Sequence, residues 1–270
     1  MSDRANSRPS TLVMGVINVT PDSFSDGGRF LRTDDAVAQA ARLAAEGADY
    51  LDVGGESSRP GAAEVGEQEE LDRVAPVIER VLAEVDVPVS IDTYKARVAA
   101  ECLALGARYV NDITGLEDPE MIRVVAQAGA GVVIMHMRGR PQTMQRDVQY
   151  GDVVQEIKSF LEERAGRAKD AGIEQVVIDP GIGFGKTAAH NFQLIRRLGE
   201  FASLGLPILV GPSRKSFLGS LPSGLPAHER LEGTLAAVAV AVMNGAAIVR
   251  VHDVVETKRV VEVVDAIRDA

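Results

Sequence analysis

Short apolar runs separated by longer amphipathic stretches recur from one end of the chain to the other. The runs are Leu12 to Ile17, Ala48 to Val53, Val87 to Ile91, Arg108 to Val110, Gly131 to Met135, Gln175 to Ile178, Pro207 to Val210 and Ala247 to Val249. Continuous apolar character, without strict alternation, marks strands covered on both faces, as a parallel sheet wrapped by helices requires. Between the runs, apolar residues at three- and four-residue spacing predict helices near 34–46, 67–84, 94–105, 119–128, 150–171, 188–200, 228–244 and 254–268. Asp34 and Asp35 are suited to cap the first of these. The alternation predicts an α/β protein, an eight-stranded β/α (TIM) barrel in a single domain. Residues 1–11 read as a flexible N-terminal segment and 12–270 as the barrel domain, with no linker or composition shift between them.

The residues that close each run carry the next clue. In order they are Asn18, Gly54-Gly55-Glu56, Asp92, Asn111-Asp112, His136, Asp179, Gly211 with Ser213-Arg214-Lys215, and Arg250 with His252. An open doubly wound sheet places its chemistry at one switch point, so few strand ends would be polar. A barrel enzyme collects its catalytic groups at the C-terminal rim from many strands, and that is the pattern here.

Composition narrows the chemistry. The chain has 270 residues, 46% hydrophobic, enough to bury a large core without disulfides or a structural metal. The single cysteine, Cys102, lies in a predicted helix and reads as an inert buried thiol. With 29 Lys and Arg against 39 Asp and Glu, the net charge of -10 disfavours nucleic acid and anionic membranes as partners. The apolar stretch from Leu231 to Val251 is broken by Gly233, Asn244 and Gly245 and reads as a helix followed by a strand. The polar start, Met1 to Ser10, lacks a signal-peptide apolar region and points to the cytoplasm.

Four segments hold candidate chemistry. Asn18 opens a polar loop with Thr20, Ser23, Ser25 and Asp26, which turn formation or closure over a ligand would each explain. Asp52-Val-Gly-Gly-Glu-Ser-Ser-Arg-Pro-Gly61 offers close backbone approach, the Ser58 hydroxyl and Arg59 for an anion. Asp179-Pro-Gly-Ile-Gly-Phe-Gly-Lys-Thr187 imitates a nucleoside-triphosphate loop, but Pro180 stands where that pattern needs glycine. What remains there is an acid at a strand end and a loop holding Phe184. Ser213-Arg214-Lys215, with Arg250 and His252, makes a basic region after strands seven and eight, a frequent phosphate site in barrels. An ion pair with a neighbouring Asp is the structural alternative for Arg250. Asp92, Asn111, Asp112 and Asp179 form an acidic sector suited to a nitrogen-rich heterocycle. No zinc motif, nucleophile elbow or cysteine cluster is present.

Taken together, these segments resemble dihydropteroate synthases from Met14 to about Ala270. The resemblance rests on Asn18-Val-Thr-Pro-Asp-Ser-Phe-Ser-Asp-Gly-Gly, Gly54-Gly-Glu-Ser-Ser-Arg-Pro-Gly, Ser90-Ile-Asp-Thr, Asn111-Asp-Ile-Thr-Gly and Met135-His-Met. It continues through Asp179-Pro-Gly-Ile-Gly-Phe-Gly-Lys, Ser213-Arg-Lys-Ser-Phe-Leu-Gly and Arg250-Val-His-Asp.

The resemblance implies condensation of p-aminobenzoate with 6-hydroxymethyl-7,8-dihydropterin pyrophosphate, through a transition state resembling a pterin cation. It implies pterin contacts at Asp92, Asn111, Ile113, Met135, Asp179 and Lys215, and pyrophosphate contacts at Asn18, Arg59, Arg250 and His252. It implies a p-aminobenzoate pocket at Ser58, Pro60, Phe184, Lys215 and Ser216, and Mg²⁺ held at Asn18. Asp92, Lys215, Asp179 and Arg250 are the implied catalytic residues, a homodimer the implied assembly, and sulfonamides the implied inhibitors, with Phe24, Ser58 and Pro60 of the sensitive type. Ser58 stands where many members have Thr, and Ile182 where some have an aromatic. A pterin-binding methyltransferase domain or an inactive homologue is the alternative; the former has no use for Ser213-Arg214-Lys215, and the latter should lack site residues that this chain keeps.

Overall fold

The computed structural model describes residues 10–20, 29–146 and 148–270. Its strands are β1 (Leu12–Asn18), β2 (Tyr50–Gly54), β3 (Val89–Asp92), β4 (Tyr109–Asp112), β5 (Gly131–Met135), β6 (Val176–Asp179), β7 (Leu209–Val210) and β8 (Ile248–Val251). They pair in parallel in the order β6-β5-β4-β3-β2-β1-β8-β7. A parallel bridge between Ile178 and Ile208 brings the two outer strands together and closes the sheet into a barrel. Helices α1 (Arg29–Ala45), α2 (Glu67–Glu84), α3 (Ala96–Leu105), α4 (Pro119–Ala128), α5 (Val153–Asp170), α6 (Ala188–Arg196), α7 (Leu231–Met243) and α8 (Val254–Arg268) connect and cover the strands.

Several boundaries differ from the expectation for physical reasons. Most strands run one or two residues further than hydropathy predicts, because backbone pairing continues through the polar end groups. Asp92 is registered with Asn111, and Met135 with Asp179. The polar rim is therefore held by the ladder itself. The helix expected from 188 to 200 ends at Arg196 and gives way to a 3₁₀ turn over Leu198–Leu204. The helix expected from 228 starts at Leu231 after a 3₁₀ turn, and α1 begins at Arg29, before the acids expected to cap it. A further 3₁₀ turn, Ser216–Ser220, follows β7 and carries no apolar period that would announce it.

Side-chain alternation along the strands divides the core in two. Met14, Val133, Val177, Leu209 and Ile248 pack inside the barrel. Below them, the rings of Tyr50 and Tyr109 meet edge to face at 5.4 Å. The other strand faces, including Val13, Leu51, Ile91, Val110, Ile134 and Val249, pack against the helices in the larger cluster. Cys102 belongs to that cluster, and burial pushes its thiol up to about 12, as an inert core residue requires.

Of the N-terminal segment expected to be flexible, residues 1–9 lie outside the described residues. Thr11 is tied to α8, where its N–H and hydroxyl both donate to Asp265, each at 2.8 Å. No helix among the described residues is long and apolar enough to cross a membrane.

Candidate active site

Inward-facing positions just above the apolar floor are polar on three consecutive strands. Asp52 of β2 is registered with Ser90 of β3, and Asp92 of β3 with Asn111 of β4. Asp52 and Ser90 are fully buried and Asn111 nearly so. Asn111 Nδ2 donates to Asp52 Oδ2 at 3.1 Å. Asp52 Oδ1, Ser90 Oγ and Asn111 Oδ1 have no hydrogen-bond partner. Orphaned buried polar atoms are costly in a finished fold, and these three lie on adjacent strands at the level of Asp92 or one step below it.

Arg250 reaches into this cluster from β8, past β1. Its Nε donates to Asp52 Oδ2 at 2.6 Å and its Nη2 to Asp92 Oδ2 at 2.7 Å. Burial works against the guanidinium charge, but the two carboxylates outweigh it and raise the pKa of Arg250. Burial pushes Asp92 up to about 7 against the pull of Arg250, and the charge of Asp52 adds to the push. The acidic and basic sectors expected from the strand ends are thus bridged by Arg250, which makes the ion pairs named as its structural alternative. The two acids differ in exposure: the Asp52 side chain is sealed at 0%, whereas that of Asp92 is 14% accessible.

The β6 and β7 ends complete the mouth. Asp179 is buried and accepts the Gly181 N–H at 2.7 Å; burial raises its pKa, with Lys215 opposing. Lys215 Nζ donates to the Ile182 carbonyl and sits 4.4 Å from the centre of the Phe184 ring. Burial lowers the Lys215 ammonium to about 8, against Asp179. Gly183 has φ +87 and packs on Lys215, where a Cβ would lie 2.7 Å from Lys215 Cδ. Ile182 is fully buried and so anchors the loop that carries Phe184.

Just past β8, His252 Nδ1 lies 2.9 Å from Ser213 Oγ, and burial together with Arg250 lowers its pKa to about 4. A neutral ring that accepts the Ser213 proton at Nδ1 keeps Nε2–H as a donor. Met135 and Ile113 are buried near the acids, Asn18 ends β1 half-buried, and Arg59, Pro60 and Ser216 are exposed on the rim. Ser58 is half-buried beside a narrow crevice that also touches Asp92, Ile113 and Pro141. Thr20 is described, whereas Ser23, Phe24, Ser25 and Asp26 lie outside the described residues.

Among the strand-end residues, Asp112, Arg214 and His136 turn away from the mouth. Asp112 faces away from Asn111 and accepts hydrogen bonds from Thr114 N, Thr114 Oγ1 and Leu116 N, so it shapes a turn. Arg214 has φ 57, which turns its side chain outward to pair with both oxygens of Asp253. His136 is buried against Lys186, whose Nζ lies 3.0 Å from His136 Nδ1. Lys186 also donates to the carbonyls of His136, Gly181 and Phe184, at 3.2, 2.9 and 2.8 Å. Lys186 is thus the internal clasp of the 181–186 loop. Burial pulls its pKa well down, while Asp179 opposes that pull.

Sequence reasoning passed over Asp52 and Ser90 as site residues. A lone acid and a lone hydroxyl inside apolar strands were the available signals. A wide surface groove between α3 and α4 offers no rival centre, because its cations are already paired: Arg140 with Glu117 at 2.9 Å, and Arg123 with Glu120.

Among the described residues, no three His, Cys, Asp or Glu side chains converge to hold a metal ion. Asn18 offers one neutral oxygen, which suits an ion that arrives already bound to an anionic ligand.

A barrel whose mouth joins carboxylates to Arg250, Lys215 and a neutral histidine defines an enzyme for a polar ring bearing an anionic group. The family model described as "Pterin binding enzyme" matches residues 14–252. The chain belongs to this family and, within it, to the dihydropteroate synthases. The dihydropteroate synthase of Synechocystis is 47% identical over 260 residues, covering 95% of this chain and 90% of the relative. A crystal structure of dihydropteroate synthase from Clostridium difficile in the presence of pteroic acid superposes with a TM-score of 0.92 at 44% identity, covering 97% of this chain and 98% of that one. The Yersinia pestis enzyme with a sulfonamide drug complex gives 0.91 at 45% identity, covering 100% and 99%.

Proposed function

We propose that the chain joins p-aminobenzoate to 6-hydroxymethyl-7,8-dihydropterin pyrophosphate, forming 7,8-dihydropteroate and releasing pyrophosphate. The observation that carries the reading is the accessible carboxylate of Asp92 at the mouth, in register with Asn111 and bonded to Arg250. A pterin edge is rich in N–H donors, and such a carboxylate favours it over a purely anionic ligand. The crystal structure of the C. difficile relative in the presence of pteroic acid supports the same reading.

In this reading Asn111 and Asp179 read the donor and acceptor edge of the ring, with Met135, Ile113 and Lys215 around it. The bond between the methylene carbon and the pyrophosphate oxygen breaks, and the electron pair leaves with oxygen. Positive charge then develops on the methylene and the electron-rich ring, where the carboxylates of Asp92 and Asp179 favour it. Arg250, Arg59, the Nε2–H of His252 and Asn18 take the departing pyrophosphate. Mg²⁺ carried in on the pyrophosphate would be held by Asn18 and would neutralise part of the leaving charge. The amine of p-aminobenzoate, set by Ser58, Pro60, Phe184, Lys215 and Ser216, attacks the methylene and gives up its proton. The anilinium formed by the attack is acidic, so it passes its proton to solvent water without a strong base.

Sulfonamides fit the p-aminobenzoate side of the site, consistent with the sulfonamide complex of the Y. pestis relative. Val240 and Met243 of α7 and Val263 and Ile267 of α8 are exposed on a packed helix pair. In this reading two copies pair through that face, which sedimentation tests.

The function is tested by following pyrophosphate release from the pterin substrate with and without p-aminobenzoate. The expected result is one dihydropteroate per pyrophosphate when both substrates are present. Ring alkylation that depends instead on a methyl donor would move the assignment to a methyltransferase.

A further inference from the structure

The β2–α2 loop, residues 55–66, carries Ser58, Arg59 and Pro60 to the mouth, and a buried ion network holds it from behind. Lys95 Nζ is hydrogen-bonded to Glu56 Oε2 in the loop and to Glu70 Oε2 in α2. The three side chains are 8%, 8% and 1% exposed for Lys95, Glu56 and Glu70. Tyr94 donates its hydroxyl to Glu56 Oε1 at 3.0 Å, and Lys95 Nζ lies 4.8 Å from the Tyr94 ring. The loop start is packed equally closely: a Cβ on Gly55 would come within 2.7 Å of Val74 Cγ1, and Arg73 Nη1 donates to the Gly55 carbonyl at 2.8 Å.

No step of the reaction set out above uses these groups. Burying a cation between two acids costs desolvation that an apolar trio of similar volume would avoid, so a network of this kind is weakly explained by stability. What it does supply is fixed geometry. Tyr94 and Lys95 follow Asp92 by two and three residues, on the segment that leaves β3. Glu56 precedes Ser58 by two. The network therefore couples the loop bearing Ser58 to the strand end bearing Asp92, across the crevice that both line. Of the two acids, only Glu56 belongs to the loop; Glu70 sits in α2, which is held independently by its apolar face.

We propose that Glu56, clamped by Lys95 and Tyr94, is a positioning residue for p-aminobenzoate, fixing the height of Ser58 and Pro60 over Asp92 without touching substrate. The inference rests on the synthase reading and adds a residue to it. Steady-state constants for both substrates, in the wild type and in Glu56→Ala, Tyr94→Phe and Glu70→Gln, test it.

Glu56→Ala leaves Lys95 and Glu70 as a neutral buried pair, so the fold keeps its charge balance. We expect its KM for p-aminobenzoate to rise about tenfold, because both ties to the loop, from Lys95 and from Tyr94, are lost together. Its KM for the pterin pyrophosphate should rise less, by about threefold at most, because Arg59 on the same loop is one of several pyrophosphate contacts. Tyr94→Phe removes one bond to Glu56 and should raise the same constant by a smaller factor. Glu70→Gln preserves the Glu56–Lys95 tie and should not reproduce the effect. An unchanged p-aminobenzoate KM in Glu56→Ala, an equal rise in both KM values, or the same selective rise in Glu70→Gln would overturn the proposal. Should Glu56→Ala fail to fold, Tyr94→Phe decides alone, and an unchanged constant there overturns it. A wild-type protein that makes no dihydropteroate would defeat the synthase reading itself, and this inference with it.

Discussion

Two places in this molecule set one cation between two carboxylates, and they end differently. Behind the β2–α2 loop, Lys95 lies between Glu56 and Glu70, with Tyr94 closing the network. At the barrel mouth, Arg250 lies between Asp52 and Asp92, and polar atoms are left over: Asp52 Oδ1, and Asn111 Oδ1 and Ser90 Oγ beside it. A buried ion network whose members are all satisfied fixes geometry, whereas one with an accessible carboxylate can admit a ligand. Exposure separates the two acids of the mouth as well. Asp52 is sealed beneath Arg250 and cannot leave it, while Asp92 is open to exchange its cation for the ring of a substrate. On this account Asp52 holds Arg250 in place while Asp92 changes partner.

Removing the exchanging acid or the neighbouring cation should have the largest effect. Asp92→Asn and Lys215→Ala are each expected to lower kcat/KM by about a thousandfold, the scale seen when a group aimed at developing charge is lost. Circular dichroism should show both folded, and near-normal turnover in either would break the account of the mouth. Asp52→Asn should cost less, about a hundredfold in kcat/KM, because it acts through Arg250 and touches no reacting atom. A loss as large as that in Asp92→Asn would place Asp52 in the chemistry itself.

Asp112→Ala sharpens the contrast from the other side. Asp112 is adjacent to Asn111 but spends its oxygens on Thr114 and Leu116. Its loss should lower stability by about 1–3 kcal/mol in urea unfolding, with the pterin KM unchanged. A raised pterin KM in a folded Asp112→Ala protein would return that residue to the site.

The neighbours Asn111 and Asp112 also show how far the sequence could be read. A strand turns alternate side chains to opposite faces, so one of two adjacent polar residues enters the barrel and the other leaves it. Hydropathy marks both and cannot say which is which. The same limit applies to Arg214 and Lys215, where a left-handed turn at Arg214 decides that only Lys215 faces the mouth. The barrel itself was legible because eight short apolar runs and their helices repeat one local logic. Asp52 was hard to find because a single acid inside a strand looks like a break in an apolar pattern. Its partner, Arg250, lies 198 residues away in the chain. Lys95 and Glu70 were missed for the same reason, since their network is assembled from a loop, a strand end and a helix.

The pH dependence of kcat/KM for the pterin substrate bears most directly on the claim that Asp92 exchanges partners while Asp52 stays. Burial raises Asp92 to about 7 and lowers Lys215 to about 8. Asp92 must be ionised and Lys215 charged, so wild-type activity should climb as pH rises through about 7 and decline above about 8. The negative charge of Asp52 is one of the causes that raise Asp92. Removing it in Asp52→Asn should move the acid limb to lower pH while the alkaline limb stays. An acid limb that stays in place, or that moves to higher pH, would contradict the account.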